Sequence, residues 1–210
     1  MFHVKHEGWA ESTAAIGFSL PPGDLERLNT YERLLVERGG PRGLVATRDL
    51  KRIRERHILD CLRASFLIGT EPASGYDLGS GGGLPGIVLA IACPQLSLIL
   101  VEVRRNRAMF LQDAVSELGL KNVEVYARRA ETLRERRDLC LARAFAPLPG
   151  TCTIAAPLLV AKGRLIYWAG VTFDAVRDVP EGVSIQVHHS SALPGAGTLV
   201  EARFPQLPAG

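Results

Sequence analysis

Apolar residues recur along the chain in two periods, and the change from one to the other sets the expected architecture. Over residues 24–38, Leu25, Leu28, Tyr31 and Leu35 fall on one stripe at helical spacing, with Asp24 near the start and Gly39-Gly40 to stop it. A second helical stripe runs from Asp49 to about Ile68 through Ile53, Ile58, Leu62 and Phe66. Pro41 and Gly43 sit in the connection, and Glu71-Pro72-Ala73-Ser74-Gly75 forms a hinge into the first expected strand. These helices predict a small N-terminal helical cap.

Beyond the hinge, short apolar runs alternate with helical stripes. The pattern predicts strands over 75–78, 97–102, 123–126, 139–143 and 164–168, and helices over 85–92, 105–118 and 150–160. Such alternation specifies a parallel sheet with helices on both faces. Two last strands, about 183–188 and 198–203, are expected to finish the sheet as a hairpin around Leu193-Pro194-Gly195-Ala196-Gly197. The expected fold is therefore α/β and Rossmann-like, with residues 1–70 as a cap within the same domain and 71–210 as the core. Ligands of such sheets bind outside the carboxyl ends of the strands, which brings Asp77, Glu102, Arg129 to Glu131 and Arg143 to one edge.

At the first of those strand ends the chain reads Asp77-Leu78-Gly79-Ser80-Gly81-Gly82-Gly83-Leu84-Pro85-Gly86. An acid-led glycine loop between a strand and a helix lets the backbone turn sharply and approach a ligand, while the helix after it offers free N–H groups. The next strand ends in Glu102, where a carboxylate can accept hydrogen bonds from both ribose hydroxyls. The dinucleotide pattern G-x-G-x-x-G, laid on Gly79 and Gly81, demands glycine where Leu84 stands, and no Lys-Ser or Lys-Thr pair comes after Gly86. An adenosine cofactor without a pyrophosphate is what remains.

Composition adds bounds rather than a new direction. With 210 residues, 47% apolar and 22% charged, the chain can bury one substantial core. The start, Met1 to His6, has no apolar core of a leader, and runs such as Ile154 to Ala161 are too short to span a bilayer, so a cytoplasmic protein without a membrane partner is expected. Cys61, Cys93, Cys140 and Cys152 lie apart with no histidine at ligand spacing, which predicts buried thiols and no metal. The net charge of +3 is unevenly spread: arginines crowd between Arg42 and Arg56, after Glu102, and between Arg128 and Arg137. Singly each cluster reads as a solvated face; beside the cofactor loop they point jointly to a polyanion.

The motifs Arg56-His57-Ile58-Leu59-Asp60, Asp77 to Ile87, Arg129-Ala130-Glu131 and Arg143-Ala144-Phe145 together resemble the RsmG (GidB) family over roughly residues 25 to 170. That family comprises class I S-adenosylmethionine-dependent methyltransferases acting on nitrogen 7 of a guanosine in bacterial 16S ribosomal RNA. The resemblance implies S-adenosylmethionine as cofactor and 16S rRNA in the 30S subunit as partner; a monomer is expected. By the same resemblance Gly79 and Leu84 line the cofactor pocket together with Asp77, Gly81 and Gly83. Glu102 holds the ribose, Ala130 and Glu131 meet the adenine, and Arg143 closes the site and acts catalytically. Departures are a Gly43-Leu44-Val45 stretch for the family's Asn-Leu-Thr, Ala169-Gly170 for a Lys-Gly pair, and Gly197-Thr198 for an Arg-His pair. They leave a non-catalytic RNA-binding assembly protein, or a small-molecule methyltransferase, as alternatives.

Methyl transfer to guanine N7 needs no general base, because that nitrogen carries a free lone pair, so proximity and orientation suffice. Arg48, Arg52, Arg56, Arg104 and Arg105 are expected to meet RNA phosphates. The plainer readings stand beside these. His57 is a hydrogen-bonded structural residue sharing a face with Asp60, Arg143 pairs with Glu131, Asp77 caps the loop's N–H groups, Glu131 is a first-turn helix acid, and Phe145 and Trp168 fill core or stack on a base.

Overall fold

The computed structural model describes residues 8–170, 172–190, 192–193 and 195–205, so the expectations for Met1 to His6 and for Pro194 fall outside it. Its centre is a seven-stranded sheet in the order β3-β2-β1-β4-β5-β7-β6. The strands are β1 (Ala73–Leu78), β2 (Leu96–Val101), β3 (Val123–Tyr126), β4 (Arg137–Arg143), β5 (Leu159–Trp168), β6 (Ser184–His188) and β7 (Leu199–Arg203). The first five are mutually parallel, while β7 runs antiparallel to β5 and β6 antiparallel to β7. The predicted closing hairpin is thus present, with its second strand inserted next to β5.

Period-two alternation divides the sheet between two cores. Leu98, Leu100, Leu139, Leu141, Ile166 and Trp168 face the cap with helices α4 (Gly86–Ala92) and α5 (Arg105–Glu117). Tyr76, Leu78, Ile99, Val101, Cys140 and Tyr167 face helix α6 (Leu148–Ala155) on the other side. Asp77, Glu102 and Arg143 continue the first set, so strand parity alone sends all three side chains toward the cap.

The cap departs most from expectation. A helix α1 (Trp9–Ala14), without a clear sequence stripe, buries Trp9 under the guanidinium of Arg54, 4.4 Å from the ring centroid. Helix α2 (Pro22–Leu34) starts two residues before the predicted point because Pro22 suits the first helical turn, and its last turn widens into a π turn over Leu35–Gly39. The single helix expected from Asp49 to Ile68 is instead a series of turns: 3-10 over Thr47–Arg52, π over Arg54–Leu59, the α turn α3 (Asp60–Leu62), then 3-10 over Arg63–Leu67. Changing the residues per turn rotates side chains about the axis. Ile53, Ile58 and Leu62 stay buried, whereas Phe66 leaves the stripe, is 58% exposed and meets the ring of His188 at 5.3 Å.

Two more boundaries differ for local reasons. The predicted 150–160 helix runs from Leu148 to Ala155 and gives way to a 3-10 turn at Ala156–Leu158, where Pro157 lacks the N–H that an α-helix needs. Strand β5 then begins at Leu159, five residues earlier than expected, through a register shift against Arg137 and Leu139.

The cap is fastened to the core through Tyr31. Its side chain is fully buried, and its hydroxyl donates to the Gly82 carbonyl at 2.7 Å. Burial holds that phenol well above its ordinary pKa, so it stays a donor. Tyr31→Phe removes the donor and strands a buried carbonyl, and is expected to cost about 1–3 kcal/mol in urea denaturation with an unchanged denaturant slope.

Candidate cofactor and nucleic-acid site

The sheet order reverses between β1 and β4, and the crevice at such a switch point is where α/β sheets hold ligands. The glycine loop leaves β1 there, and Arg143 ends β4 on the other side. Gly79, Gly81 and Gly83 have φ of 70°, 56° and 93°, a region that side chains rarely enter, which is why the loop turns on glycines. A Cβ at Gly79 would meet the ring of Phe145 at 2.6 Å, so Phe145 is packed directly on the loop. Leu84 is partly buried against the cap-side core, and the Leu84-Pro85 peptide is cis.

Two acids shape the loop from below. Asp77 is fully buried; its Oδ2 accepts from the Gly86 N–H at 3.1 Å, while Oδ1 has no hydrogen-bond partner. Glu102, only 4% exposed, accepts from the Gly81 N–H at 3.0 Å through Oε2 and from the Arg104 N–H at 2.8 Å through Oε1. Each of these carboxylates retains unused lone pairs. The expectation of free N–H groups at the start of α4 is corrected: Gly86 donates to Asp77 and Ile87 to the Gly83 carbonyl at 2.8 Å. The loop's rigidity, rather than spare donors, is what that helix start supplies.

Arg143 does not pair with Glu131. It turns to the cap, where Nη2 donates to His57 Nδ1 at 2.7 Å and to the Arg56 carbonyl at 3.2 Å, and lies 3.5 Å from Asp60 Oδ2. Because a guanidinium only donates, Nδ1 of His57 is the acceptor and the ring is neutral. Burial, and then the Arg143 charge, lower the His57 pKa in agreement with that state. Asp60 also binds Arg63 at 2.9 Å, and its carbonyl accepts from the Trp168 indole at 3.1 Å. His57 is therefore structural, and Trp168 is a core residue tied to the cap.

Ala144, between Arg143 and Phe145, has φ 54°, the one positive value outside glycine among the described residues. Strand parity takes Arg143 to the cap, and the positive φ of Ala144 turns Phe145 back onto Gly79. Ala130 is buried in the α6-side core, and Glu131 and Arg129 are exposed around a short 3-10 turn, Ala130–Thr132. Ala169, where the resemblance expects lysine, is 5% exposed. Sequence reasoning missed Arg107: a Cβ on Gly81 would stand 3.9 Å from its Nη1, so its guanidinium, in the first turn of α5, overhangs the loop.

Of the expected phosphate contacts, Arg48, Arg52, Arg104 and Arg105 are exposed, and none is in an ion pair among the described residues. Arg56 is exposed but lies 3.0 Å from Asp49. Cys61, Cys93, Cys140 and Cys152 are buried free thiols, and burial pushes Cys61 up to about 12. Among the described residues no cluster of His, Cys, Asp or Glu is arranged to hold a metal, and no helix is long and apolar enough to cross a membrane.

A model of the family described as rRNA small subunit methyltransferase G matches residues 24–189. The chain belongs to that family. A relative from Ralstonia nicotianae named ribosomal RNA small subunit methyltransferase G is 34% identical over 191 residues, covering 86% of this chain and 86% of its own length. Another of that name, from Thermobifida fusca, is 44% identical over 147 residues, covering 69% of this chain. The chain spans 62% of the Thermobifida protein and 56% of a Kineococcus radiotolerans relative. In fold it is similar to a mutant of MtNAS in complex with S-adenosylmethionine, with TM-score 0.58 at 17% identity, covering 86% of this chain and 76% of that one. A ribosomal protein L11 methylase from Lactobacillus delbrueckii subsp. bulgaricus gives TM-score 0.57 at 11% identity, over 70% of this chain and 78% of that one. The Rossmann-like sheet of the class I methyltransferases is thus the fold of this member of the rRNA small subunit methyltransferase G family.

The buried acid of this family member gives a pH signature. Burial pushes Asp77 from 3.8 up to about 7. A carboxyl that holds its proton more tightly when folded lends stability that is complete below about pH 4 and lost as pH rises to about 7. In thermal unfolding, the stability of Asp77→Asn relative to the wild type should therefore rise between those limits and level off above them. A difference that stays flat across that interval would show that the carboxyl titrates normally.

Proposed function

We propose that the chain binds S-adenosylmethionine on the Gly79–Gly83 loop and transfers its methyl group to nitrogen 7 of a guanosine in 16S rRNA of the small ribosomal subunit. The carrying observation is the buried pair of acids beneath a glycine loop at the sheet's switch point, one of them with an unpartnered oxygen. Family membership supports the same reading.

The residues present fit the cofactor. Asp77 Oδ1 is a buried acceptor lacking a donor, which suits a cationic amino group reached through the loop. Glu102 has lone pairs left for ribose hydroxyls, and Val103 beside it is 55% exposed, an apolar surface suited to a purine face. Ala130 and Glu131 bound the adenine end. Bound there, S-adenosylmethionine supplies an electrophilic methyl group on a sulfonium.

The chain then has to orient a nucleophile that needs no deprotonation, and to keep water out. Phe145 walls the loop, and Arg143 acts as a positioning residue that ties the cap over the crevice. Arg48, Arg52, Arg104 and Arg105, all exposed, supply phosphate contacts. A base inside folded RNA must be unpaired or extruded to reach it.

Methyl transfer to 30S subunits from cells lacking this protein tests the reading, with the product mapped to one guanine. Cofactor binding with no transfer would favour an RNA-binding assembly protein instead, a reading that the uncharged Ala169-Gly170 pair would fit. In calorimetry Glu102→Ala is expected to weaken cofactor binding by on the order of 2–3 kcal/mol, since the lost ribose bonds are charge-assisted. RNA affinity should fall steeply with salt, and neutralising Arg48 or Arg105 should reduce the slope of log affinity against log salt by roughly 0.7–0.9. A flat salt response would remove the arginines from the interface.

A further inference from the structure

A row of cross-strand neighbours runs from Arg143 through Trp168 and Leu199 to His188 at the outer edge of the sheet. Residues directly opposite one another in such a row share one face. Trp168 and Leu199 belong to the cap-side core, so that face is the one turned to the cap. His188 follows them and meets the ring of Phe66, on the 3-10 turn over Arg63–Leu67, with the centroids 5.3 Å apart and the planes at 72°. With strands about 4.8 Å apart, three steps set His188 about 14 Å from Arg143, along the edge on which the cofactor loop opens.

Phe66 is 58% exposed, and among the described residues it is the one aromatic in the set of exposed large apolar side chains. Its backbone is held on both sides. Before it, the buried Arg63 pairs with Asp60 and donates to the Gly197 carbonyl at 2.6 Å; after it, the Leu67 carbonyl accepts from Arg164. The edge contact with His188 holds the ring itself, so a ligand that stacks on it has little side-chain freedom left to remove.

The surroundings of the ring select its occupant. On the same face of β6, Ser184 and Gln186 are exposed polar residues, and on β7 Glu201 is paired with Arg203 at 2.6 Å. Val187, the exposed apolar residue of β6, lies on the opposite face by parity. A protein partner needs a contiguous apolar patch, which one ring among polar groups does not supply. An unpaired base needs only a flat aromatic face.

We propose that Phe66, braced by His188, is a stacking platform for an unpaired base of the RNA other than the one that receives the methyl group. The inference rests on the methyl-transfer reading above and adds the path of the substrate strand, which runs along the cap side of the sheet edge from Arg143 toward β6. Stacking reads no hydrogen-bond pattern, so the platform holds the strand in place without choosing its sequence.

The test is binding of a short single-stranded oligouridine with one 2-aminopurine to the full chain, in the presence of S-adenosylhomocysteine and over a series of salt concentrations. Phe66→Ala should weaken binding by on the order of 5- to 100-fold and relieve the quenching of 2-aminopurine, with the salt slope unchanged because stacking releases no counterions. Phe66→Trp should keep both the affinity and the quenching, and His188→Ala should lose part of each. S-adenosylmethionine affinity in calorimetry should be the same in all these variants. Wild-type RNA binding that Phe66→Ala leaves intact, or a Phe66→Leu variant as tight as the wild type, overturns the platform and leaves the methyl-transfer reading standing. A wild type that binds no RNA, neither this oligonucleotide nor 30S subunits, defeats both.

Discussion

A carboxylate sealed at the end of β1 is the constraint around which the site is built. Asp77 has no exposed surface, and helix α4 comes so close that a Cβ at Gly86 would lie 2.5 Å from its Oδ2 and closer still to the Leu100 side chain. Only glycine permits that approach, and the approach is what delivers the Gly86 N–H to the acid. The turn from strand to helix is thereby fixed at both ends, by Asp77 below and by Glu102 holding Gly81 from the neighbouring strand. The remaining oxygen of Asp77 is desolvated and unpartnered, an arrangement that costs stability in the free protein.

The cap belongs to this arrangement rather than sitting beside it. On one lip of the crevice Tyr31 holds the Gly82 carbonyl, and Leu35 and Leu44 approach so near that a side chain at Gly82 would meet them at 3.3 Å and 3.4 Å. On the other lip His57 and Asp60 hold Arg143. Both lips are therefore positioned by one N-terminal segment, and a shift of the cap moves cofactor loop and β4 end together. That coupling gives the buried Asp60–Arg63 pair a purpose beyond stability, because it fixes the segment's register against the Gly197 carbonyl, 2.6 Å from Arg63, and against Trp168.

Much of this was legible in the sequence wherever a residue's role comes from periodicity or backbone need. Their places at the carboxyl ends of strands put Asp77, Glu102 and Arg143 on one edge, and positive φ accounts for Gly79, Gly81 and Gly83. What escaped were features set by turn geometry. The stripe through Ile53, Ile58, Leu62 and Phe66 assumes a constant residues-per-turn, and the π and 3-10 turns break it at Phe66. The partner of Arg143 escaped for the same reason, since His57 and Asp60 reach it from an irregular segment whereas Glu131, nearer in a flat reading of the sheet edge, points to solvent. Arg107 was hidden in a run of arginines, where only the three-dimensional first turn of α5 distinguishes it from its neighbours.

Ala144 shows how a small strain organises the crevice. An extended backbone at this position would continue the alternation of β4 and place Arg143 and Phe145 on the same face, both toward the cap. The left-handed turn separates them: the guanidinium goes to the cap, and the ring goes to Gly79 beside the α6-side core. A side chain in this region costs of order 1–3 kcal/mol, so it persists only where its neighbours over-determine it. Here they do so from both directions, with His57 fixing the residue before and Gly79 the residue after. Glycine would adopt the turn without strain but would widen the conformations open to the chain. Alanine keeps the turn narrow, which holds Phe145 against the loop.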